Sequence, residues 1–241
     1  MSITVKPHLK DVEELYAKIH GFEKAVKLQN TYSPVEGAHH YRKEDVRTVI
    51  DALSRSLDFH AGEPGDLEEA MHSGNIDFMR LVREHETMPA EEYQLLYIMS
   101  RPFFKSMKNA LTMDDMFWQD GRCPVCSAKP ALSVIEKESH RKYFCSFCGT
   151  AGSYMRIGCP GCLTEDPRDI TIMSLEGEEG MRADMCEKCK SYVKTFESSM
   201  TDGHSMDSLD ILSIPLDIIV QEKGFKRHAP NPVGIITLGQ Y

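Results

Sequence analysis

All eight cysteines of this 241-residue chain stand in Cys-x-x-Cys pairs. The pairs are Cys123/Cys126 in CPVC, Cys145/Cys148 in CSFC, Cys159/Cys162 in CPGC and Cys186/Cys189 in CEKC. Thiols that merely fill a core are scattered along a sequence. A two-residue gap, repeated four times within one stretch, lets two thiolates and the backbone between them wrap a metal ion.

The pairs alternate in type. CPVC and CPGC carry proline after the first cysteine, and CSFC and CEKC do not. Each proline-type pair is followed by a predicted β-hairpin that leads into a plain pair, which reads as one module used twice in tandem. The gap from Cys126 to Cys145 holds 18 residues, inside the usual ribbon spacing, and the gap from Cys162 to Cys186 holds 23, slightly beyond it. The spacing favours sequential pairing over a cross-braced arrangement. One centre would take Cys123, Cys126, Cys145 and Cys148, and the other Cys159, Cys162, Cys186 and Cys189.

Four thiolates suit zinc, and they suit a single iron equally well. Such a site is coordinatively closed, so it offers substrate no open position and argues against hydrolytic metal catalysis. The expected job of the two ions is to hold thin hairpins folded. A thiol–disulfide relay is the competing use of Cys-x-x-Cys. It would want a helix N-terminus beside the attacking cysteine, and no strong helix signal follows any pair. His39-His40 falls in a predicted loop and reads as solvent-facing, while His140 reads as a hairpin-turn residue. No glycine-rich phosphate loop and no persuasive nucleophile–base set is visible.

Upstream of the cysteines the periodicity is helical. Val12, Leu15, Tyr16, Ile19, Phe22 and Val26 recur at three- and four-residue spacing, and Val46, Val49, Ile50, Leu53 and Leu57 repeat the pattern after a loop at 30–40. The run 61–66 closes that helix, and a third is expected from Leu67, bent near Gly74. Pro89 opens a further helix that Pro102 should kink or end, with a last helix from Phe103 to Trp118. From Gly121 the signal turns to short strands at 131–138, 141–145, 170–177, 181–186 and 192–196. A helix is expected over Leu209–Glu222, starting late or bending at Pro215, followed by an extended tail.

The resulting expectation is an α+β, multidomain chain. An all-α domain spans 1–120, one four-cysteine module spans 121–157, a second spans 158–197, and a C-terminal helix with its tail spans 198–241. Nothing approaches the apolar run of a membrane helix, and the N-terminus carries no secretory pattern, so a cytoplasmic location is expected. Net charge is −9. The cysteine region is nearly neutral and turns negative once two tetrathiolate sites are loaded, which argues against a nucleic-acid backbone as partner.

The run CPVCSAKPALSVIEKESHRKYFCSFCGTAGSYMRIGCPGC, followed by MRADMCEKCKSYVKTFE, resembles the FdhE family of formate dehydrogenase accessory proteins. The matching details are the four pairs in order, Pro130 after the first, Arg156 before the third, and Tyr192 and Lys194 after the fourth. Ser127 departs from the glycine often found after the first pair. The resemblance implies a helical N-terminal domain and two rubredoxin-like, or zinc-ribbon-like, modules associated with iron. It implies a cytoplasmic maturation factor, not an enzyme, that binds the catalytic subunit of formate dehydrogenase before export. A rubredoxin-like electron-transfer or redox-sensing role is the alternative.

Overall fold

The apolar spacing of the first half produces helices. The computed structural model describes residues 10–32, 41–57, 69–70, 73, 77–83, 88–111, 116–136 and 140–238. Helix α1 (Lys10–Ala25) buries Ile19 and Phe22, and α2 (Lys43–Leu57) buries Val46, Val49, Ile50 and Leu53. A short α3 (Phe78–Arg83) and a long α4 (Ala90–Ala110) follow. Acids occupy the first turns of α1, α2 and α4 and bases their last turns, matching the helix dipole. Asp45 of α2 is fully buried yet satisfied. It accepts from the Gln29 and Asn30 amides at 2.6 and 3.1 Å and from the Tyr32 hydroxyl at 2.8 Å. The residues that close α2 at 61–66, and the bend near Gly74, lie outside the described residues.

Pro102 does not end its helix. α4 runs unbroken past it, although proline cannot donate to the carbonyl of residue 98. Pro102, Phe103, Phe104 and Met107 are all buried, and Phe103 meets the rings of Tyr32, Tyr41 and Phe78 at centroid distances of 5.2, 4.8 and 5.5 Å. Packing on both sides of the proline outweighs the lost bond. The expected helix Phe103–Trp118 is therefore the second half of α4, and it stops at Ala110. Met116–Phe117 is instead a strand, β1.

The remaining strands are β2 (Leu132–Ile135), β3 (Arg141–Phe144), β4 (Ala151–Ser153), β5 (Ile170–Met173), β6 (Met181–Cys186) and β7 (Ser191–Glu197). They form one mixed seven-stranded sheet in the order β1-β4-β3-β2-β7-β6-β5. Each cysteine repeat contributes an antiparallel trio, β2-β3-β4 and β5-β6-β7. The trios are fused by parallel pairing of β2 with β7, with Leu132 opposite Lys194 and Ile135 opposite Glu197. A buried polar row reinforces that seam. Arg141 Nε donates to Ser133 Oγ at 3.0 Å, Ser133 and Thr195 share a 2.8 Å hydrogen bond, and Thr195 Oγ1 donates to Asp184 at 2.8 Å.

The expected C-terminal helix is two helices, α5 (Met206–Leu212) and α6 (Ile214–Glu222). Ser213 leaves helical geometry between them at φ −97 and ψ 14, and Pro215 sits in the first turn of α6, where its missing N–H costs nothing. The chain then returns along β7, where the Tyr192 amide donates to the Lys226 carbonyl at 3.1 Å. Buried charges lock this layer to the sheet. Lys194 of β7 reaches Asp210 at 2.6 Å and Asp217 at 2.5 Å, and Arg227 reaches the same two carboxylates at 2.8 and 2.9 Å. On the other side Arg101 of α4 pairs with Glu23 of α1 at 2.5 Å and with Asp207 of α5.

Candidate metal centres

All four Cys-x-x-Cys pairs adopt the same turn. The amide four residues after the first cysteine returns to that cysteine's carbonyl: Ser127 to Cys123 at 2.7 Å, Gly149 to Cys145 at 2.9 Å, Leu163 to Cys159 at 2.8 Å and Lys190 to Cys186 at 2.9 Å. Closing the turn puts Ser127, Gly149, Leu163 and Lys190 in the left-handed region at φ 61, 70, 61 and 55. That conformation favours glycine, which explains why a glycine after the pair is natural and why Ser127 is a departure. Each turn aims two thiols to the same side.

The thiols meet in two groups, Cys123, Cys126, Cys145 and Cys148 in one and Cys159, Cys162, Cys186 and Cys189 in the other. The groups join each proline-type pair to the next plain pair. In the first group Cys123 lies 3.5 Å from Cys148, and Cys126 lies 3.3 Å from Cys145 and 3.9 Å from Cys148, sulfur to sulfur. In the second group Cys159 lies 3.5 Å from Cys189 and Cys162 lies 3.7 Å from Cys186. A disulfide needs about 2.05 Å. Four sulfurs at about 2.3 Å from one ion stand about 3.8 Å apart along the tetrahedron's edges. The donor set and its spacing fit a tetrathiolate ion. His140 is exposed, and His39 and His40 lie outside the described residues.

Electrostatics favours the same occupant. Burial pushes the Cys126 and Cys145 thiols up, while hydrogen bonds from Cys123, Cys126, Cys145 and Thr150 hold Cys148 well below the usual thiol range. Four buried thiolates without a counter-charge would repel one another, and a divalent cation at their centre removes that conflict.

Two residues that the cysteine pattern did not single out complete the sites. The Thr150 hydroxyl lies 3.0 Å from Cys148 Sγ, and the Ser191 hydroxyl lies 2.9 Å from Cys189 Sγ. Both stand two residues after the last cysteine of their repeat, a spacing readable in CSFCGT and CEKCKS. Each hydroxyl can donate to a thiolate and spread its charge.

The centres differ in their surroundings. The first is wholly buried and gripped by α4. Tyr97 donates its hydroxyl to the Ser146 carbonyl at 2.8 Å, and Phe147 sits edge-on to Tyr97 and Phe104 at 5.2 and 5.3 Å. The second is held by the C-terminal return. Gly161 lies so close to His228 and Ser191 that a Cβ there would meet the imidazole at 2.3 Å, and Lys129 donates to the Gly161 carbonyl at 2.8 Å. Cys162 and Cys189 remain partly exposed.

Residues 145–233, which hold three of the four cysteine turns and the C-terminal layer, match the model of the FdhE C-terminal domain. Over these residues the chain is similar to the FdhE family. An FdhE homologue of Edwardsiella ictaluri is 32% identical over 114 residues, covering 46% of this chain and 36% of the relative. An FdhE homologue of Aquifex aeolicus is 31% identical over 141 residues, covering 56% and 49%. These alignments span less than half the length of those FdhE relatives. The crystal structure of FdhE from Pseudomonas aeruginosa shares the fold, with a TM-score of 0.61 at 20% identity over 95% of this chain and 80% of the other.

Proposed function

We propose that this protein is a cytoplasmic accessory factor of formate dehydrogenase maturation, binding the catalytic subunit before export and carrying out no chemistry of its own. The observation that carries the reading is the FdhE C-terminal domain match over 145–233, in a chain whose eight cysteines converge in two closed groups. In this reading Cys123, Cys126, Cys145 and Cys148 hold one ion of zinc or iron in a rubredoxin-like module, and Cys159, Cys162, Cys186 and Cys189 hold a second. Each ion supplies folding free energy, about 10–16 kcal/mol for structural zinc at neutral pH. The helical half and the sheet then present a protein-binding surface. The test is a clean deletion in the native host together with anaerobic co-purification. Formate dehydrogenase activity falls and its catalytic subunit co-purifies, whereas normal activity in the deletion would end this reading.

A second reading, a rubredoxin-like electron-transfer or redox-sensing protein, is favoured by the partial exposure of Cys162 and Cys189. Anaerobic purification with visible spectroscopy separates the two. Coloured protein whose spectrum changes on reduction supports the redox role, and colourless protein with stoichiometric zinc removes it.

A further inference from the structure

The two repeats use their strand edges unequally. In the first, β2 has neighbours on both sides, β3 antiparallel and β7 parallel. Its counterpart in the second repeat is β5, which likewise follows the proline-type pair. Among the described residues β5 pairs only with β6 and ends the sheet.

The open edge has hydrogen-bonding groups to offer. The Glu187 amide donates to the Asp169 carbonyl at 2.8 Å, which sets 169, 171 and 173 in bonded register with β6. The Ile170 amide closes the preceding turn onto the Pro167 carbonyl, and the Ile170 carbonyl with the amide and carbonyl of Ile172 then points away from the sheet. The Ile172 side chain is 56% exposed. Ile170 lies opposite Cys186, so the edge begins beside the second cysteine group, where Leu163 is 44% exposed.

Charge selects the occupant. From Leu163 to Glu179, the stretch that holds β5 and its flanks, the chain carries six acidic side chains and one basic. Glu165 and Asp169 stand before the strand, and Glu176, Glu178 and Glu179 stand in the turn after it. A second copy pairing edge to edge would bring acids onto acids, the arrangement that keeps natural edges apart. A lysine- or arginine-rich extended segment would meet complementary charge at both ends.

We infer that the open edge of β5 takes a basic, extended segment of a partner protein as an eighth strand, parallel to β5 as β7 is to β2. This goes beyond the maturation role and does not depend on which protein supplies the segment.

The probe is a labelled ten-residue peptide alternating lysine and valine, titrated by fluorescence anisotropy into the full metal-loaded chain. It binds saturably. The same peptide N-methylated at alternate residues keeps its charge but cannot extend the ladder, and it binds about tenfold more weakly. A glutamate–valine peptide does not bind. Ile172→Pro removes an outward amide without touching the β6 ladder, and it weakens the lysine–valine peptide about fivefold to tenfold while metal content and melting temperature hold. Equal affinity for the methylated and unmethylated peptides would overturn the inference, as would no binding of the parent peptide. The peptide comparison uses the unmutated protein, so a folding defect in Ile172→Pro leaves the answer intact.

Discussion

Arg141 of β3 reaches Asp184 of β6 across two intervening strands, with Nη2 2.8 Å from Oδ2 and both side chains buried. The pair joins the two cysteine repeats, and Ser133 and Thr195 fill the distance between them. Fusion of the trios thus rests on a polar row as well as on β2–β7 backbone pairing.

Arg141→Met should therefore cost more than a surface substitution, because it leaves buried Asp184 with only the part-exposed Arg182, 2.9 Å away, as counter-charge. The expected loss is about 3–5 kcal/mol of unfolding free energy. Ser133→Ala removes one neutral partner and should cost about 1–2 kcal/mol. Urea titrations of both variants check the ordering, and equal losses would contradict it.

The Lys194–Asp210–Asp217–Arg227 quartet predicts a pH dependence. Burial works to raise the Asp210 pKa, but the Arg227 and Lys194 charges overcome it and hold the carboxyl below its ordinary value. A carboxyl depressed in the folded state contributes stability that is fully present above the unfolded value of about 3.9 and is lost as pH falls through the folded value. Carbon NMR of the Asp210 side chain should show it still ionised at pH 4, where an ordinary aspartate is about half protonated.

Two glycines separate conformational from steric cost. Gly149 has φ 70 with open space where a Cβ would go, so Gly149→Ala should cost about 1–2 kcal/mol through backbone strain alone. Gly152 faces Trp118, whose indole nitrogen would lie 2.3 Å from a new Cβ, and the Met116 carbonyl at the same distance. Gly152→Ala should cost more, about 3 kcal/mol, and should weaken the β1–β4 pairing. Thermal unfolding with the metal bound measures both.

These effects also mark how far the fold could be read from the residues. The cysteine turns, the β5–β6 hairpin and the faces of α1 and α2 follow local spacing, so they were legible. Strand β4 was not, because Ala151-Gly152-Ser153 has none of the branched or aromatic residues that announce a strand. Its place is set by Trp118 packing onto Gly152, a contact between residues far apart in sequence. The β2–β7 seam escaped for the same reason, since parallel pairing across about sixty residues has no local signature. Pro102 misled because its rule is local, whereas the aromatic packing that overrides it comes from Tyr32, Tyr41 and Phe78. At the centres the eight thiols were legible, but Thr150 and Ser191 become meaningful only when their hydroxyls are seen on sulfur.

The unequal burial of the centres predicts unequal metal release. Cys162 and Cys189 are partly exposed, while the first group is wholly buried and packed under α4. A chelator should remove metal in two phases. Cys162→Ser should abolish the fast phase and leave the slow one, and Cys126→Ser should do the reverse if the chain still folds. Release followed with a chromogenic indicator reads both.

The most direct test is the metal count of the cysteine variants. Elemental analysis of anaerobically purified protein should give two ions per chain for the unaltered sequence, one for Cys126→Ser, one for Cys162→Ser and none for the double variant. A single substitution that abolishes both ions, or a double variant that keeps one, would contradict two separate tetrathiolate centres.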